Sequence, residues 1–126
     1  MSLSKFGKCC VGMITAPLGK AETLAEVLLT EKLVACVNIV PQVKSMYWWE
    51  GKICRDQEEL LIVKTRSELK YRIVDCVKKN HEYSVPEVIF MDITDGNEEY
   101  LSWIISSVAK PPISHMDLGN NKGTKF

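Results

Sequence analysis

VACVNIVPQVKSMYWWEGKICRDQEELLIVKTR, from Val34 to Arg66, decides the fold. Two arms, Val34 to Trp49 and Ile53 to Thr65, meet at Glu50-Gly51-Lys52. Both are rich in Val, Ile, Tyr, Trp and Leu, and Gly51 stands where a tight reversal needs positive φ, which predicts a β-hairpin. The first arm, fully extended, spans about 50 Å at ~3.3 Å per residue. A globule of this chain length has a radius of gyration of roughly 14 Å, hence a diameter of about 36 Å. A continuous arm therefore projects beyond its body, and its outer end is Met46-Tyr47-Trp48-Trp49. A projecting aromatic edge invites aggregation unless another chain covers it, so an obligate oligomer is expected.

The rest of the chain is read outward from this ribbon. Its 126 residues suit one domain with a real core. Lys plus Arg and Asp plus Glu both number 16, which offers nucleic acid no basic surface and gives little colloidal protection to an exposed aromatic tip. Nothing approaches the ~20 apolar residues of a membrane span, and the opening residues lack a signal-peptide cleavage pattern. Cys9, Cys10, Cys36, Cys54 and Cys76 form an odd set without C-x-x-C spacing, predicting reduced thiols and a cytoplasmic setting.

Upstream, Lys8 to Ala16 reads as a central strand. Lys20 to Leu33 reads as an amphipathic helix with Ala21, Leu24, Ala25 and Leu28 on one face and Gly19 as a weak cap. Pro41, inside the first arm, cannot donate a ladder hydrogen bond, so a kink or bulge is predicted there. In the second arm, Leu60 to Val63 is apolar on both faces and reads as central. Downstream, Ser67 is expected to cap a helix reaching Asn80. A strand follows from Glu87 to Thr94, its Val88 to Met91 again a continuous apolar run. A short helix capped by Asn97 comes next, with Tyr100, Trp103 and Ile104 on its buried face. The order predicts an α+β fold of the ferredoxin-like, split βαβ type with a long protruding hairpin. The single domain is expected over residues 1–108, with an extended, partly disordered tail over 109–126.

Several blocks also resemble a known family. Ala35-Cys36-Val37-Asn38-Ile39-Val40-Pro41 and Ser45-Met46-Tyr47-Trp48-Trp49-Glu50-Gly51-Lys52 resemble the CutA divalent-cation tolerance family. Glu58 through Lys64-Thr65, His81-x-Tyr83 with Pro86-Glu87, and Tyr100-Leu101-x-Trp103 follow in the family's order. The resemblance implies a homotrimer whose hairpins pair between subunits, and a function in tolerance of, and response to, divalent ions such as Cu2+. The trimer also looks like that of the PII signalling proteins, which bind small effectors between subunits. Two positions depart from the pattern. Ile14 stands where some bacterial members have a Cys, and the usual His-Pro-Tyr-Glu is His81-Glu82-Tyr83-Ser84.

Imidazole suits copper and zinc, so His81, with Glu82 or Glu87, is the candidate metal set. Cys9 and Cys10, adjacent on a strand, point to opposite faces and cannot share an ion. Cys36 and Cys76 read as buried hydrophobes, and Cys54 has no visible activating neighbour. Trp48 and Trp49 face opposite ways, with Tyr47 sharing the Trp49 face. Tyr47, Trp49, Glu58, Lys64, Tyr83 and Trp103 are candidates for lining an inter-subunit cleft. No Ser-His-Asp set, P-loop or Rossmann glycine pattern is present, so no enzymatic activity is expected. The reading is a trimeric divalent-cation-binding protein. The alternative is a PII-like signalling or scaffold trimer that binds a small anion or a protein partner.

Overall fold

The computed structural model describes residues 8–110. The strands are β1 (Cys9–Pro17), β2 (Cys36–Trp49), β3 (Lys52–Arg66) and β4 (Val88–Asp92). The helices are α1 (Ala21–Thr30), α2 (Lys70–Asn80) and α3 (Glu98–Ser107). The strands form one sheet in the order β2-β3-β1-β4, every neighbouring pair antiparallel. This is the split βαβ arrangement, with β1 and β3 central as their apolar runs predict.

The ribbon projects as expected. β1 pairs with β3 from Glu58 to Arg66, while β3 residues 52–57 pair with β2 alone among the described strands. Those six residues extend about 20 Å past the body at ~3.3 Å per residue. Glu50 and Gly51 form the turn, both at positive φ (51° and 78°), as a two-residue hairpin loop with the native twist requires.

The register shifts between Val40 and Val43, where Pro41 was expected to disturb the ladder. Val40 opposes Leu60 and Val43 opposes Glu58, so β2 carries one residue more than β3 across this step. Because side chains alternate with period two, that extra residue reverses the phase of β2. Cys36, Asn38 and Val40 share the face of Lys64, Ile62 and Leu60. Beyond the bulge it is Val43, Ser45, Tyr47 and Trp49 that continue this face.

One sheet face carries α1 and α2 over a core of Ile14, Ala16, Leu24, Leu28, Leu61, Val63, Ile73 and Val77. Gly12 lies in this layer. A Cβ there would sit 2.8 Å from both Phe90 Cε1 and Val63 Cγ2, so a larger residue forces one of these side chains to shift. Among the described residues the opposite face is covered only at one corner, where Leu101 and Ile104 of α3 pack on Cys9. The rest of that face presents Val11 and Met13, Leu60 and Ile62, and Ile89 and Met91, the last two 51% and 52% exposed.

Local expectations needed correction at several points, among them the buried face of α3, which is Leu101 and Ile104 while Tyr100 and Trp103 are exposed. α1 stops at Thr30 rather than Leu33, because Lys32 adopts φ 61° and closes a C-terminal cap. The N–H of Leu33 donates to Leu28 O and that of Lys32 to Leu29 O, the pattern usually built on glycine. Gly19 does not cap α1; Lys20 occupies the cap position and Glu59 Oε1 accepts the Ala21 N–H at 2.9 Å. Ser67 begins a single 3-10 turn, and no side chain caps α2. β4 is shorter than expected and lies at the sheet edge; Val88 and Phe90 are half-buried while Ile89 and Met91 are exposed. Asn97 caps α3 as expected, accepting the Tyr100 N–H at 3.2 Å.

Val108 packs into the core, and Ala109, assigned by sequence to the tail, donates its N–H to Lys32 O at 2.8 Å. The rest of the expected tail, from residue 111, lies outside the described residues.

Candidate functional site

Antiparallel pairing brings the end of β1, the base of the hairpin and the α2–β4 connection together. His81 follows the last residue of α2 in extended conformation, which turns its ring back toward β1. Its Nδ1 lies 3.0 Å from the Tyr83 N–H and its Nε2 2.7 Å from Thr15 O. An N–H must donate to Nδ1 and a carbonyl must accept from Nε2, so these partners assign the Nε2–H tautomer. The ring also packs at a tilt against Tyr83, with centroids 4.8 Å apart.

Beside this lies a carboxylate network on the sheet face that α1 and α2 leave open. Glu58, only 7% exposed, accepts from Ser45 Oγ at 2.6 Å and from the Tyr83 hydroxyl at 3.1 Å. The Tyr47 hydroxyl donates to Asp56. That hydrogen bond pushes the Tyr47 pKa up to about 12, because ionisation breaks it and places two like charges together. Tyr83 is also raised, chiefly by desolvation and then by its bond to Glu58.

The two proposed acidic partners of His81 are held elsewhere. Glu82 pairs with Lys20 at 3.3 Å, and Glu87 accepts from Thr15 Oγ1 at 3.4 Å. A cavity of about 210 Å³, lined in part by Pro17, Lys20, Asn80, His81 and Glu82, separates the start of α1 from the end of α2. Among the described residues no three His, Cys, Asp or Glu side chains converge in a way that would hold a metal ion. Within one chain, His81, Glu82 and Glu87 are neighbours, each engaged by a different partner.

The cleft candidates divide likewise. Tyr47, Glu58 and Tyr83 gather at the hairpin base. Lys64, six residues from Glu58 along β3, is about 20 Å away at ~3.3 Å per residue. Its ammonium contacts Asn38 Oδ1 and Cys36 Sγ. Trp49 lies at the ribbon tip opposite Lys52, 61% exposed, and Trp103 stacks on Tyr100 of α3 at 5.3 Å. Sequence reading missed Ser45, Asp56 and Thr15. Asp56 had a signal, standing two residues before Glu58 and so on its face. Cys36, expected in the core, is half-buried beside Lys64, whereas Cys9, Cys10 and Cys76 are buried.

Residues 10–107 match the family described as CutA1 divalent ion tolerance protein. The chain belongs to the CutA family. It is 53% identical over 95 residues to the chloroplastic CutA 1 protein of Oryza sativa, covering 75% of this chain and 54% of that one. It is 49% identical to the chloroplastic CutA of Arabidopsis thaliana, covering 82% of this chain and 58% of that one. The chain thus spans little more than half the length of these plant relatives. Against the divalent-cation tolerance protein of Thermus thermophilus it is 45% identical over 75% of this chain and 92% of that one. The crystal structure of CutA1 from Oryza sativa superposes with a TM-score of 0.81 at 47% identity, covering 84% of this chain and 98% of that one. That likeness covers the four-stranded antiparallel sheet and the three helices. The family is described as one of divalent-ion tolerance proteins. Relatives carry the words chloroplastic and, in Archaeoglobus fulgidus, periplasmic, so membership alone does not fix a compartment. No helix among the described residues is long and apolar enough to cross a membrane.

Proposed function

We propose that this CutA protein works as a homotrimer in divalent-cation tolerance, and takes Cu2+ or a similar divalent ion weakly through His81, with Glu82 or Glu87 assisting. The seating of His81 carries the metal reading. It is anchored between β1 and Tyr83, with two carboxylates following it in sequence, Glu82 and Glu87, held by Lys20 and Thr15. The Nδ1 lone pair accepts the Tyr83 N–H and Nε2 donates to the Thr15 carbonyl, so an ion has to displace one of these partners to reach the ring. Uptake is consequently weak. Titration of metal-free protein with Cu2+ tests this. The account expects His81→Ala to abolish the binding; unchanged binding in that variant removes the assignment.

The trimer reading is supported by the open apolar sheet face and the projecting ribbon, both of which a second copy can cover. Five free thiols favour a reducing compartment, and cytoplasmic placement is proposed on that ground.

A PII-like scaffold trimer that binds a small anion or a protein partner is the second reading. It draws on the Lys64 ammonium, which lies on the open face with neutral partners only, Asn38 and Cys36. Inorganic phosphate bound by wild type and lost in Lys64→Met would favour it.

A further inference from the structure

We infer that Cys36 and Lys64 form an oxidative cross-linking site, in which a hydroperoxide converts the thiol to a sulfenic acid that the lysine amine then captures as a sulfenamide. Cys36 and Lys64 are direct cross-strand partners in the β2–β3 ladder, and the Ala35 N–H donates to Lys64 O at 2.8 Å, which fixes the two backbones against each other. Lys64 Nζ lies 4.0 Å from Cys36 Sγ. Asn38 Oδ1 accepts from both the thiol, at 3.8 Å, and the ammonium, holding the two groups on one side of the strand pair.

Elimination favours this pair. Cys9, Cys10 and Cys76 are buried, and burial pushes the Cys10 thiol up to about 11 and raises that of Cys76, which keeps both in the unreactive protonated form. Cys36 and Cys54 are the two thiols that are not buried. Cys54 lies ten residues from Lys64 along β3, about 33 Å at ~3.3 Å per residue. A disulfide needs Cα atoms within roughly 7 Å, so Cys54 of the same chain cannot resolve a sulfenic acid at Cys36. The amine that the strand pairing sets beside Cys36 is the Lys64 nitrogen.

The steps balance. The Cys36 sulfur attacks the peroxide O–O bond and takes one oxygen; the alcohol or water leaves and the thiol proton goes with it. Sulfur is oxidised and the peroxide reduced. Lys64 then gives a proton to solvent, and its lone pair attacks sulfur. The S–O bond breaks and the oxygen leaves as water, forming S–N with no further oxidant. Excess thiol reverses it by attack on sulfur.

The full chain treated with hydrogen peroxide, then digested with trypsin and weighed, tests this. The expected product lacks two hydrogen atoms relative to the untreated chain. It joins the Cys36 and Lys64 peptides and resists cleavage after Lys64, and it reverts with dithiothreitol. Lys64→Arg, which keeps the charge, is expected to give Cys36 sulfinic or sulfonic acid in place of the joined peptides. Free, cleavable Lys64 in oxidised wild type would overturn the inference. So would a disulfide-linked pair of chains through Cys36, or joined peptides that persist in Lys64→Arg.

Discussion

Single residues set the tolerances of this protein. Gly12 is fixed by volume: its missing Cβ is the space that Phe90 and Val63 fill. Gly12→Ala is expected to destabilise the chain by about 1–3 kcal/mol through overpacking, read as a lower midpoint in urea with an unchanged slope. A midpoint equal to wild type would mean that Phe90 swings aside at no cost. Tyr47 is fixed by charge. Its pKa lies above that of an unfolded tyrosine, so the associated stability is present below pH 10 and is lost as pH rises from about 10 to about 12. Absorbance titration is expected to show one tyrosine ionising near 12, and Asp56→Asn should bring it back toward 10; no response to Asp56→Asn would place the cause elsewhere. Neither property was legible in the sequence. Gly12 reads as one small residue in an apolar run, and the Tyr47–Asp56 contact exists only once the register is known. His81 shows the same limit. Its position beside Tyr83 is written in the chain, but the Thr15 carbonyl that occupies Nε2 comes from 66 residues away.

At the scale of the element, the bulge in β2 is the decisive device. Deleting Gln42 removes the extra residue and returns β2 to a simple alternation. Either the tip turns over, sending Tyr47 and Trp49 to the helix side, or the body segment does, sending Val37 out of the core. The expected outcome is loss of soluble protein of native size in gel filtration. A soluble variant with native size and melting temperature would contradict the role given to the bulge. Pro41 made this irregularity legible, because proline removes a ladder donor wherever it falls. The two central strands were legible from their unbroken apolar runs. Helix ends were not: Lys32 closes α1 at a positive φ that no local signal marks, and the N-terminal N–H of α1 is satisfied by Glu59 from a distant strand. Long-range partners override local capping preferences in both cases.

The whole molecule presents two unbalanced surfaces. One is the open sheet face, with Val11, Met13, Leu60, Ile62, Ile89 and Met91. The other is the ribbon beyond Glu58, where Trp48 is 73% and Trp49 61% exposed. Sequence length alone announced the second, since the arm outruns any globule the chain can make. The first was hidden, because Val88 to Met91 reads as a continuous apolar run, and Ile89 and Met91 are exposed where no described helix covers their face. Burial of both surfaces by sister chains is the central claim, and every shared cleft or metal-handling role proposed here depends on it. Light scattering at micromolar concentration tests it most directly. A particle of three times the 14.3 kDa chain mass is predicted, and a stable, soluble 14.3 kDa monomer would contradict the account.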